Sequence, residues 1–175
     1  CLGVDRVSID PDESAGELEA RLAERGGKLV LSVIEALAAG TAQPVKQGRT
    51  QASKAPRLEK EHGIIDWSRP ARAIKNQVRA LDPWPRAYTS WQRPSEPGGS
   101  SPRESLRLIV HRAQVADAAA DPTAAPGEII EAGPRLVIAT GAGALEITAL
   151  QPAGKRVMAA NEFLRGYPLA AGQRL

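Results

Sequence analysis

Apolar residues in the first forty positions follow two different rhythms. Between Leu2 and Ile9 they alternate with polar ones, Val4 and Val7 slightly out of phase, which predicts a short strand. Asp10-Pro11-Asp12-Glu13-Ser14 is a turn sequence leading into a helix. Asp12 or Ser14 is placed to cap it, and acidic residues suit its first turn. Leu18, Leu22, Leu29, Val30, Val33, Ile34 and Leu37 then recur at helical spacing up to Gly40, with Gly26-Gly27 expected to interrupt or kink the helix. One strand and one or two helices cannot close a core, so this segment predicts partners outside itself.

Periodicity vanishes from Thr41 to Lys60, where Gln, Pro, Gly, Ser and spaced cations predict a linker. It returns at Ile64 and Ile65, which with Asp66 and Trp67 read as a brief strand. Ser68, two residues before Pro70, suits a helix start. Ile74, Val78 and Leu81 form one apolar stripe from Ala71 on, with Arg72, Lys75, Asn76 and Arg79 mostly off it. The helix must end before Pro83, and Pro83-Trp84-Pro85 forms a rigid corner. Strands are predicted at Ala87–Trp91, Leu106–Val115, Gly127–Glu131, Leu136–Ala139 and Ala144–Leu150, with Arg107 and Arg112 on different faces of the second. Gln92–Ser105 reads as a Pro, Gly and Ser-rich loop and Ala116–Ala125 as an Ala and Asp spacer. A last helix is predicted at Ala159–Arg165, its Phe163 and Leu164 packing and Gly166 ending it. Short strands with Gly-bearing turns fit a small, closed or nearly closed barrel. Trp67, Trp84 and Trp91 stand beside apolar or proline positions and are expected in its core.

Charge adds what periodicity does not show. The 175 residues carry a formal net charge of +3, but Cys1–Gly40 holds 4 Lys and Arg against 8 Asp and Glu, whereas Thr41–Leu175 holds 19 against 12. Most of that excess lies in Thr41–Ala80, with 9 against 3. A basic linker and domain mouth attract a polyanion through salt-sensitive contacts with its phosphates. One cysteine and two distant histidines, His62 and His111, offer neither an internal disulfide nor a metal cluster, and Cys1 is expected in a strand as a small apolar residue. No apolar run approaches the roughly 20 residues that span a bilayer, and no leader precedes a cleavage site, so a soluble, cytoplasmic protein is expected. A chain that opens on Cys1 rather than methionine is expected to be an excerpt of a longer one.

Three blocks in register resemble one family. IDWSRPA, a helix and DPWPRAYT resemble the start of the C-terminal domain of the methionyl-tRNA formyltransferases. APRLEKEHGIIDWS is similar to their linker, and LEITALQPAGKRVMAANEFLRG with AAGQRL to their closing segment. The resemblance implies a mainly β fold: a small OB-like barrel with a helix after its first strand, preceded by a strand-helix remnant of an α/β formyltransferase domain. Residues 1–40 would end that catalytic domain, 41–61 would be the basic linker, and 62–175 the OB-like tRNA-binding domain. It implies initiator tRNA as partner, a missing N-terminal catalytic domain, no membrane and a monomer. 10-Formyltetrahydrofolate would be the formyl donor of the whole enzyme, with none bound by this fragment. The family's catalytic Asn, His and Asp lie upstream of Cys1; Asn76 and Asn161 sit in other contexts, Asp10 and Asp12 belong to a turn, and no catalytic residue is assigned.

Resemblance places Arg57, Leu58 and Lys60 in the linker motif that runs beside bound tRNA, although Ala52–Ala55 departs from the family's usual aromatic entry to it. Lys155 and Arg156 project from a Gly-bearing turn, a geometry suited to phosphates, and Arg165 and Arg174 add charge nearby. Arg57, Lys60, Lys155, Arg156 and Arg165 are therefore the expected tRNA contacts. A free-standing nucleic-acid-binding barrel and the C-terminal barrel of a small-molecule formyltransferase are the alternatives. The acidic N-terminal helix argues against the first; the QPAGKR block and the basic linker favour the tRNA enzyme over the second.

Overall fold

The rhythms of the sequence settle into two units, Cys1–Leu58 and Glu59–Leu175, in a computed structural model that describes residues 1–48, 52–92, 105–117 and 124–175. The predicted loop at Gln92–Ser105 and spacer at Ala116–Ala125 fall largely outside the described residues.

In the first unit, Ser14 caps helix α1 (Ala15–Ala38). Its hydroxyl accepts from the Glu17 amide at 3.3 Å while its own amide donates to the Glu17 carboxylate at 2.8 Å, a reciprocal capping box. The helix runs unbroken through Gly26-Gly27. Each glycine costs about 1 kcal/mol relative to alanine, too little to stop a helix built mostly from Ala, Leu, Glu, Arg and Lys. Leu2–Ile9 is extended but forms no strand, because no described segment offers it a ladder partner. Side chains of α1 tether it instead: Arg25 to Asp5 and Arg21 to the Ser8 carbonyl and Glu13, each at 2.7 Å. Cys1 is exposed rather than packed in a strand, its α-amino group donating to the Val45 carbonyl at 2.9 Å.

The second unit is a mainly antiparallel sheet that curls into a half-barrel around a few helices. Its strands are β1 (Ala87–Gln92), β2 (Ser105–Val115), β3 (Ile129–Ala132), β4 (Leu136–Ala139), β5 (Ala144–Pro152) and β6 (Met158–Ala159). They lie in the order β1-β2-β5-β4-β3, with β6 paired to β5. Alternation decides the inner face: Ala87 and Trp91 of β1, Leu108 and Val110 of β2, and Leu145, Ile147 and Leu150 of β5 point into the core. Helix α2 (Ala71–Ala80) lays Ile74 and Val78 on that face, and helix α3 (Ala160–Gly166) adds the fully buried Phe163; Leu81, just past α2, is buried as well.

Residues 64–71 span the mouth of the curl. The Ile65 amide donates to the Tyr88 carbonyl at 2.9 Å along the β1 edge, and Gly141 donates to the Trp67 carbonyl at 2.9 Å at the β4–β5 turn. Ile64-Ile65 thus makes one isolated bridge, to Tyr88, rather than a strand. Ser68 does not cap α2. Both its amide and its hydroxyl donate to Asp66, at 3.0 and 2.6 Å, while Pro70 occupies the cap position and the Ala71 amide reaches the Ala142 carbonyl.

The other sheet edge is covered by the C-terminal tail. Ile129 donates to the Gln173 carbonyl at 2.8 Å, Gly172 to Ile129 and Leu175 to Gly127, each at 2.9 Å. Two tryptophans are core residues as expected, Trp67 at 7% exposure and Trp91 at 1%, but Trp84 is 50% exposed. The turn between Pro83 and Pro85 leaves that side chain half in solvent.

Candidate nucleic-acid interface

The turn after β5 carries two of the expected cations. The Lys155 amide closes it on the Pro152 carbonyl at 3.0 Å, and Gly154 takes the left-handed φ of +74° that the reversal requires. Lys155 and Arg156 are both exposed beyond it. Arg156 bonds the Glu162 carboxylate on α3, so a phosphate must displace that partner to reach it. Arg165 is exposed on α3, three residues past Glu162 and on the same side of the helix. Arg156 thus ties the turn that also carries Lys155 to α3, the helix that carries Arg165. Arg57 is the last residue but one of the first unit and Lys60 opens the short 3-10 turn Lys60–Gly63 of the second; both are exposed. Arg57, Lys60, Lys155 and Arg165 enter none of the ion pairs found among the described residues.

A relay of hydrogen bonds, invisible in the sequence, holds this turn in place. Asp82 pairs with Arg86 at 2.8 Å, Arg86 Nη1 lies 2.6 Å from His111 Nδ1, and His111 Nε2 lies 3.0 Å from Gln151 Oε1. A guanidinium only donates, so His111 Nδ1 accepts and its Nε2 carries the hydrogen given to Gln151. The Gln151 amide then donates to the Lys155 carbonyl at 2.7 Å. Arg86 occupies the left-handed region at φ +70°, unusual for a residue with a side chain and worth roughly 1 kcal/mol of strain. Its amide donates to the Leu81 carbonyl at 2.9 Å, which helps hold it there.

Beside the relay, the Arg107 guanidinium lies 3.4 Å above the centre of the Tyr88 ring. The regular part of β2 places Arg107, Ile109 and His111 on one face, a signal present in the sequence as spacing by two. A bulge at Val110–Arg112 breaks that phase, and Arg112 is exposed as Arg107 is. No group of carboxylate, His and Cys side chains among the described residues can hold a metal ion, and no helix among them is long and apolar enough to cross a membrane.

The second unit is thus a curled antiparallel sheet whose β5 turn and last helix carry exposed cations. The model of the formyl transferase C-terminal domain matches residues 57–168, and the chain belongs to that family. The methionyl-tRNA formyltransferase of Moorella thermoacetica is 36% identical over 172 residues, covering 98% of this chain and 51% of that protein. That of Solibacter usitatus is 39% identical over 169 residues, with 97% and 50% covered. The chain thus spans about half the length of the curated relatives it matches. Among solved structures, HypX from Aquifex aeolicus in complex with tetrahydrofolic acid superposes with a TM-score of 0.53 at 19% identity, over 78% of this chain and 22% of that one, a likeness of fold.

Proposed function

We propose that this chain is the C-terminal part of a methionyl-tRNA formyltransferase and that it holds initiator tRNA for a reaction centre on the remainder of the enzyme. The observation that carries this reading is the identity of 36% to 39% to such enzymes, which runs through nearly the whole chain, tether included. Residues 1–40 end the α/β catalytic domain, 41–61 form the basic linker, and 62–175 form an OB-like tRNA-binding domain. The half-barrel topology is compatible with an OB-like barrel whose mouth is bridged by residues 64–71. The exposed stripe of Val30, Ile34 and Leu37 on α1 suits packing against the rest of that catalytic domain.

In the whole enzyme, the amino group of the methionine on the tRNA attacks the formyl carbon of 10-formyltetrahydrofolate. None of that folate is bound by the residues of this chain, whose contribution is positioning. Arg57, Lys60, Lys155, Arg156 and Arg165 face phosphates, Arg156 after exchange from Glu162. A cytoplasmic monomer goes with this reading.

Initiator-tRNA binding measured against salt tests it. Log Kd should rise steeply with log salt concentration, and Lys155→Ala should lower the slope by about one. A flat dependence would overturn the assignment.

A further inference from the structure

On the outer face of the sheet, register pairs Tyr88 with Ile109 and Ser90 with Arg107. Arg107 therefore reaches diagonally over the Tyr88 ring, its Cζ 3.4 Å from the ring centre. One side of the guanidinium plane covers the phenol. The residue is exposed, and it enters no ion pair found among the described residues. The Arg107 carbonyl accepts the Ala153 amide at 2.9 Å, and Leu108 pairs with Pro152, so the stack is fastened edge to edge to the turn that carries Lys155. A preformed flat cation thus stands beside an exposed ammonium on one rigid sheet.

We propose that Arg107 and Tyr88 form a stacking platform for an unpaired RNA base, with Lys155 taking a phosphate of the same strand. The inference rests on the tRNA reading above and names a site within it. A guanidinium is planar and weakly hydrated, so it stacks on a nucleobase as readily as on a phenol. The product is a base–Arg107–Tyr88 sandwich. Bases inside a duplex have both faces occupied, so the site selects a single-stranded end, and stacking accepts any base. Tyr88 fixes the plane of Arg107 in advance, which removes the ordering cost a free arginine would bear on binding.

The test uses the full 175-residue chain and two RNA probes: a blunt duplex, and the same duplex with a single-stranded 3′ overhang containing 2-aminopurine. The overhang should tighten binding and quench the 2-aminopurine fluorescence. Arg107→Lys keeps the charge but not the plane, and should lose the quench and roughly 5- to 100-fold of the overhang's advantage while binding the blunt duplex as before. Tyr88→Ala should behave likewise. Equal affinity for both probes, or an Arg107→Lys variant that quenches fully, overturns the platform. Failure of the blunt duplex to show salt-dependent binding overturns the tRNA reading itself, so the two failures are distinguishable.

Discussion

A glycine without unusual dihedrals can still be indispensable. At Gly141 a Cβ would stand 1.7 Å from the Ser68 carbonyl oxygen, a backbone atom that cannot swing aside. Gly141→Ala should therefore destabilise the second unit by about 1–3 kcal/mol or more, read as a lower urea midpoint with an unchanged m-value. The sequence marks Gly141-Ala142-Gly143 as a turn, but nothing local says that distant Ser68 lies against it. Ser68 departs from its expected capping role for a related reason. Its hydroxyl and amide both donate to Asp66, bonds that hold the Asp66 carboxyl below its usual range and leave no cap for α2. Glu162 carries a different consequence. On the proposed tRNA reading, Glu162→Ala removes the carboxylate that would compete with phosphate for Arg156, so it should tighten tRNA binding and steepen its salt dependence.

Among the elements, α2 was the most legible, since Ile74 and Val78 of its stripe pack in the core with the sheet and Leu81 is buried beside them in sequence. Helix α1 was legible in period and extent, yet none of its residues is buried. Its extended neighbour, Leu2–Ile9, is held by charge. The hydrogen bond from Arg25 lowers the Asp5 carboxyl, and that from Arg21 lowers the Glu13 carboxyl. A lowered carboxyl contributes stability that is complete above its ordinary value and lost as pH falls through the depressed one. Acidification below the ordinary carboxylate range should therefore speed hydrogen exchange at the residues around Asp5 before it affects β5. Uniform exchange across both would contradict the tether. Ser14→Ala should cost about 1 kcal/mol of helix stability, visible as reduced helical circular dichroism. Trp84 shows the limit at this scale, because apolar and proline neighbours in the sequence do not say whether a side chain at a corner is covered.

At the scale of the whole molecule, the strands were readable from alternation and turns, but their order was not. Pairing of β2 with β5 joins segments far apart in the chain, and the bulge in β2 redirects its last residues. The candidate site was legible only as single cations. Its supporting relay from Asp82 to Lys155 depends on that same long-range pairing, which brings His111 beside Gln151. Removing residues 168–175 should bare the β3 edge, lower stability and promote self-association, measurable by sedimentation velocity. A truncated chain that remains monodisperse and equally stable would show the tail to be dispensable.

The covering of β3 by residues 172–175 also sets a timetable. Ribosomes extend a polypeptide from its amino end, so β3 and β4 leave the exit tunnel while the segment destined to flank them is still inside. Until residues 172–175 emerge, the Ile129 amide lacks the Gln173 carbonyl that it bonds in the folded sheet.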